Sequence, residues 1–162
     1  MDLYLLRHGK SDHDSSKWRT DAERPLSKKG ISTQNHCSVG MKNLGIKIEK
    51  VWVSPYRRAR QTFEIVQNIL KLKCEVEFKR ELTVFENPKE ILHLLKSEYE
   101  LNSGISLLLV GHNPHLSELL AILVGNENID MKTSELAFIE FSGVGISKLM
   151  KYYTRDALLK LS

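Results

Sequence analysis

The sequence is short of most features that mark the special classes of protein. Its two cysteines, Cys37 and Cys74, lie far apart, which is neither a disulfide framework nor the spacing of a metal or redox motif. A reducing, cytoplasmic setting is therefore expected, with no metal and no cofactor. Nine glycines and four prolines among 162 residues exclude a collagen-like or low-complexity chain. Long hydrophobic runs are missing too. The apolar run nearest a terminus, Leu3 to Leu6, sits between Asp2 and Arg7; it is too short for the core of a signal peptide and has no basic segment before it. Neither a leader nor a membrane association is expected. Charge of one sign is also lacking, with 24 Lys+Arg against 20 Asp+Glu and a net charge of +4. That balance would suit an acidic or phosphorylated partner. Without basic runs interleaved with aromatics, it does not indicate nucleic-acid binding.

What remains is ordinary globular composition, 41% hydrophobic and 27% charged, in a length that suits one domain over residues 1–162. Met1 to Leu6 reads as a buried strand, and Lys10 to Glu23 as a polar loop after it. Ser27 is the predicted N-cap of a helix running to about Leu44 and stopping at Gly45. Lys50 to Val53 reads as a second strand. A helix is predicted from Pro55 to about Leu72, its apolar stripe formed by Ala59, Thr62, Phe63, Val66, Ile69 and Leu70. Val76 to Phe78 is a brief strand and Arg80 to Asn87 a loop; Pro88 opens a helix to about Tyr99. Ile105 to Val110 is the most apolar strand and is followed by a helix to about Val124. Leu136 to Phe141 and Ile146 to Tyr153, joined through Gly143-Val144-Gly145, form a β-hairpin pattern.

Strands alternating with helices predict a three-layer α/β/α sandwich, with a mostly parallel central sheet and one antiparallel strand from the hairpin. In such sheets, ligands bind outside the carboxyl ends of the strands. Three predicted strands end there in polar clusters: Arg7-His8-Gly9, Ser54-Pro55 and Gly111-His112-Asn113-Pro114.

Taken singly, each cluster has a plain structural explanation: a histidine bonding a loop, or an arginine on a solvated helix face. Jointly they suggest chemistry. Imidazole is a nucleophile toward phosphorus, and a phosphoramidate splits one displacement into two easier ones. Guanidinium groups such as Arg7, and one of Arg57, Arg58 and Arg60, bind the oxygens of a transferring phosphoryl group through parallel hydrogen bonds. A helix N-terminus at Pro55 would add partial positive charge. His112 supplies a second imidazole for a phosphate oxygen. A metal site fails on ligand count, because His8, His112 and His13 have no accompanying cysteine or carboxylate set at a recognised spacing.

Leu6-Arg7-His8-Gly9 resembles the Arg-His-Gly signature of the histidine phosphatase superfamily, which also contains the phosphoglycerate mutases. Ser54-Pro55-Tyr56-Arg57-Arg58-Ala59-Arg60-Gln61-Thr62 is similar to its second signature, Ser-Pro-x-x-Arg-Ala-x-Gln-Thr, and that match selects Arg58. Val110 to Pro114 resembles the block carrying the second histidine. The blocks keep the family's order and span residues 5 to 114. Short length and the segment Arg24-Pro25-Leu26-Ser27-Lys28-Lys29-Gly30 look like the SixA-type phosphohistidine phosphatases. The resemblance implies a phosphoglycerate mutase-like fold, with His8 as the phosphorylated nucleophile and Arg7, Arg58 and His112 as the phosphate pocket. Arg24 and Glu81 are candidate substrate-binding residues.

Many members of the superfamily carry an acidic proton donor where this chain has Val84, with Glu81 and Glu86 nearby. Such a donor is worth ~10²–10⁴ in rate toward an alkoxide leaving group. The imidazole of a phosphohistidine can leave as a neutral ring when its other nitrogen is protonated. The resemblance thus implies removal of phosphate from phosphohistidine on a protein. The alternatives are a broad small-molecule phosphomonoesterase and a non-catalytic phospho-binding module. The expected partner is a phosphorylated protein or a small phosphorylated molecule, and a monomer is favoured.

Overall fold

The computed structural model describes residues 1–162, the side chain of Ser15 excepted. Six strands form one sheet in the order β3-β2-β4-β1-β5-β6. They are β1 (Asp2–Arg7), β2 (Lys50–Val53), β3 (Glu75–Phe78), β4 (Ser106–Gly111), β5 (Leu136–Glu140) and β6 (Lys148–Tyr153). β1 runs parallel to β4, as do β2 to β4 and β2 to β3, whereas β5 is antiparallel to both β1 and β6. β5 is thus the one reversed strand, as the hairpin pattern predicts.

The two-residue period of a strand sorts the side chains of the sheet into two cores. Leu3, Leu5, Trp52, Leu107 and Leu109 face one way and meet Ile91 and Leu95 of α3 (Pro88–Asn102) and Leu116, Leu119 and Leu123 of α4 (His115–Val124). Tyr4, Leu6, Val51, Val53, Leu108 and Val110 face the other way. There they meet Cys37 and Met41 of α1 (Lys28–Asn43), Phe63 and Val66 of α2 (Arg57–Leu70) and Leu158 of α5 (Arg155–Lys160). The result is a three-layer α/β/α sandwich. β1 and β4 read as continuous apolar runs because both of their faces are covered.

Caps set the helix boundaries. Ser27 Oγ accepts from Gly30 N at the start of α1, and Asn87 with Pro88 opens α3. α2 starts two residues later than expected and ends at Leu70, where Lys71 turns left-handed at φ 57. α3 runs past the expected Tyr99 to Asn102, and β6 starts at Lys148, leaving Ile146 exposed. The six-residue α5 goes unpredicted, since it buries only Leu158 and shows no periodic stripe. Gly40 makes its docking possible, as a Cβ there would stand 2.2 Å from Leu158 O.

Candidate active site

The carboxyl ends of β1, β2 and β4 lie side by side, because Leu6 pairs with Val110 and Val53 with Val110. The residues just beyond them, His8, Ser54 and His112, therefore meet at one edge of the sheet. His8 and His112 are buried, with ring centroids 4.8 Å apart.

His8 is held by its backbone neighbour. Its Nδ1 lies 2.6 Å from Gly9 O, so this nitrogen carries the proton and donates it. Nε2 is left with a lone pair, which accepts from Arg58 Nε at 3.2 Å. Burial, reinforced by the charges of Arg58, Arg7 and Arg24, pulls the His8 pKa down to about 3 against the opposing Gly9 hydrogen bond. The ring is neutral at pH 7. Burial contributes more to this than the arginine charges do.

Arg58 is 2% exposed, although it is an arginine on a helix. Nη1 donates to Asp21 O at 2.7 Å and Nη2 to Asp21 Oδ2 at 2.8 Å, which turns Nε toward His8. Its neighbours point elsewhere: Arg57 lies over the Trp18 ring and Arg60 over the Phe78 ring. Thr62, one turn on, donates to Arg58 O at 2.7 Å and accepts from Gly9 N at 3.0 Å, tying α2 to the loop after β1.

Ser54 positions the second histidine. Its Oγ lies 2.7 Å from His112 Nε2 and accepts from Tyr56 N at 3.3 Å. We assign the hydroxyl proton to Nε2, because the hydroxyl has no other acceptor among the described residues. His112 Nδ1 then carries a hydrogen, and this buried nitrogen has no partner. Burial above all, then the neighbouring His8 and Arg58, lowers the His112 pKa.

Arg7 reaches across to Met131 O with Nη1 at 2.6 Å, and Asn113 Nδ2 donates to the same oxygen at 2.9 Å. Arg24 bonds Asp21 Oδ1 at 2.8 Å. Burial opposes the Asp21 charge, but the hydrogen bond and charge of Arg58, with the charge of Arg24, outweigh it and lower the pKa. Arg7 Nε and Arg24 Nε are both buried without a partner.

The structure thus gathers His8, Arg58 and His112, with Arg7 and Arg24 around them. Glu81 lies apart, lining a surface pocket with Arg80, Phe85, Glu86 and Asn87, and it hydrogen-bonds to none of these residues. Among the described residues no Asp or Glu is hydrogen-bonded to His8 or His112, and no group of three or more His, Cys, Asp or Glu could hold a metal ion. Sequence reasoning placed Ser54 at this edge and Thr62 on the apolar stripe but gave neither a role, and it missed Asp21. Thr62 lies four residues from Arg58 on the apolar stripe, and that phase was the available signal.

A three-layer sandwich with two facing histidines and a buried arginine at the carboxyl edge of its sheet has the architecture of a histidine phosphatase. The chain belongs to the histidine phosphatase superfamily (branch 1), whose family model matches residues 3–83, a span holding His8, Arg24 and Arg58. It is 31% identical over 135 residues to the phosphohistidine phosphatase SixA of Escherichia coli (strain K12), covering 83% of this chain and 81% of that one. The solved structure of a protein histidine phosphatase SixA complexed with tungstate superposes with a TM-score of 0.88 at 28% identity, covering 98% and 99% of the two chains. A phosphoglycerate mutase from Bacillus anthracis shares the fold, with a TM-score of 0.79 at 16% identity over 99% of this chain and 96% of that one.

Proposed function

We propose that this enzyme removes phosphate from phosphohistidine on a protein, through a phosphorylated His8. One observation carries the proposal. The unprotonated Nε2 of His8 faces Arg58 Nε, and unpartnered buried donors on Arg7, Arg24 and His112 stand around it. Buried donors without acceptors are costly, and an oxyanion would satisfy all of them at once.

In the first step His8 Nε2 attacks phosphorus. An Nε2–P bond forms, the P–N bond of the substrate breaks, and the substrate imidazole departs as a neutral ring whose other nitrogen holds the proton. Arg58 Nε loses its contact with the Nε2 lone pair and turns to a phosphoryl oxygen, while His112 Nδ1–H meets another. In the second step water attacks phosphorus, the Nε2–P bond breaks, and dihydrogen phosphate leaves with both protons of the water. The Nδ1 proton held by Gly9 O makes His8 a neutral leaving group in that step.

Among the described residues no carboxyl group is bonded to either histidine, which favours P–N over P–O substrates, because an alkoxide needs a proton that none of these acids is placed to give. The proposal includes a reducing, cytoplasmic setting and a role in phosphohistidine signalling. It draws support from Cys37 and Cys74 as free thiols. Among the described residues, no helix is long and apolar enough to cross a membrane.

The test compares turnover of a phosphohistidine peptide and a sugar phosphate by wild type and His8→Ala. Wild type is expected to prefer the peptide and to form an acid-labile phosphoenzyme, and His8→Ala to form none. Faster hydrolysis of the sugar phosphate would indicate a broad phosphomonoesterase, and peptide binding without phosphoenzyme a non-catalytic module. Either result would overturn the proposal.

A further inference from the structure

A second cluster of unspent charge lies on the same edge of the sheet, displaced toward β5 and β6. A cavity of about 390 Å³ is lined by Lys10, Lys29 and Arg155, with Thr33, Thr133 and Ser134 between them. Topology brings these residues together. Lys10 follows the end of β1. Ser134 precedes the start of β5, whose Leu136 pairs with both Leu6 and Tyr153. Arg155 follows the end of β6, and Lys29 and Thr33 belong to the first turns of α1.

Three cations and three hydroxyls converge there without a carboxylate in the lining. Among the described residues neither lysine ammonium has an ionic partner, and Arg155 has only a distant one, Asp156 Oδ1 at 3.8 Å on the surface. Like charges gathered around one cavity repel one another, and an anion relieves that repulsion. The cavity is also wired to the nucleophile. Ser134 N donates to Arg7 O at 3.0 Å and His8 O at 3.4 Å, from a left-handed backbone at φ 65 that is unusual for a serine. Lys10 stands two residues beyond His8.

We propose that this cavity is a second oxyanion site, which takes a carboxylate or phosphate group that the substrate protein presents beside its phosphohistidine. The substrate part of this inference rests on the proposed function; the anion site itself does not. A protein-borne acid fits because the cavity lies on the same sheet edge as the phosphoryl pocket and Ser134 joins it to the carbonyls of Arg7 and His8. One chain segment can therefore fill both. The site would make the enzyme selective for phosphohistidines set among acidic residues.

Two measurements test it. In the first, inorganic phosphate is titrated into wild type and Lys10→Gln/Lys29→Gln while backbone amide resonances are followed. The Thr33 and Leu159 amides, remote from the His8 pocket along the chain, are expected to shift in wild type and to stay still in the variant. Unmoved Thr33 and Leu159 amides in wild type would overturn the site, whatever the enzyme hydrolyses. In the second, kcat/KM is compared for two phosphohistidine peptides, one with flanking Asp and Glu and one with Asn and Gln. Wild type is expected to prefer the acidic peptide about tenfold, the size of one charge-assisted contact. The variant should bring that ratio to about one. Equal rates in wild type, or an acidic preference kept by the variant, would overturn the protein-borne source and leave a free anion as the occupant. Turnover of neither peptide would sink the functional reading while the amide shifts still decide the site.

Discussion

Replacing Ser54 with alanine removes one buried oxygen, and the structure predicts where the damage goes. Ser54 is fully buried, and its hydroxyl bonds His112 Nε2 at 2.7 Å while taking the Tyr56 N–H. Without it, a buried acceptor loses its donor, a loss of about 2 kcal/mol. For a chain of this size that lowers the melting temperature by about 4–8 °C. The larger effect is on catalysis. Nothing then holds the His112 proton on Nδ1, where it would meet the phosphoryl oxygen. Losing one such donor costs about 10²–10³ in kcat, and a histidine left free to choose its tautomer should lose toward the lower end, about 10²-fold. The assay is single-turnover phosphorylation of His8 in wild type, Ser54→Ala, His112→Asn and the double variant. If Ser54 acts through His112, removing it from the His112→Asn background should change the rate less than about threefold, a non-additivity expected of groups that work as a unit. A Ser54→Ala rate within threefold of wild type, or equal losses with and without His112, would refute the assigned tautomer.

Two further outcomes follow from burial and close packing. His8 has its pKa depressed from 6.5 to about 3 in the fold, so between those values the unfolded chain binds a proton that the native ring refuses. Stability should rise with pH across that window and level off above about 6.5, by an amount on the order of a few kcal/mol. Thermal melts of wild type and His8→Gln from pH 4 to 8 would show it, and an unchanged slope in the variant would contradict it. Gly30→Ala places a Cβ 1.9 Å from Lys10 O. It should destabilise the fold by about 3 kcal/mol, about 6–12 °C in melting temperature. Phosphoenzyme formation should also slow, because the displaced segment begins two residues after His8; a normal rate in a melted-down variant would separate the two effects.

How far the site was legible in the sequence depended on which physical signal each residue left. β1 and β4 read as apolar runs because helices cover both their faces, and the rule that parallel sheets bind at their carboxyl edge places His8 and His112 together. Arg58 was selected by the resemblance of Ser54 to Thr62 to the family's second signature, and the phase of its helix gives the same answer. Reading back from Thr62 and Phe63 along the buried stripe reaches Arg58 and Ala59, whereas Arg57 and Arg60 fall off it, onto Trp18 and Phe78. That signal lay in the spacing itself and needed only to be followed one turn toward the N-terminus. Ser54 and Asp21 were different. Ser54 is legible as a residue of the carboxyl edge but not as a partner of His112, and an aspartate in a loop with Asp12 and Asp14 reads as solvated, because neither partner is near in sequence: His112 is 58 residues from Ser54, and Arg58 is 37 from Asp21. The terminal α5 was hidden for another reason, since a single buried leucine makes no periodic pattern. Residues proposed to perform chemistry were thus marked by their type and by the strand ends they occupy. The residues that orient them, Ser54 on His112 and Asp21 on Arg58, are defined by tertiary contact alone. Their substitution should therefore leave the predicted fold of the sequence unchanged while altering the site.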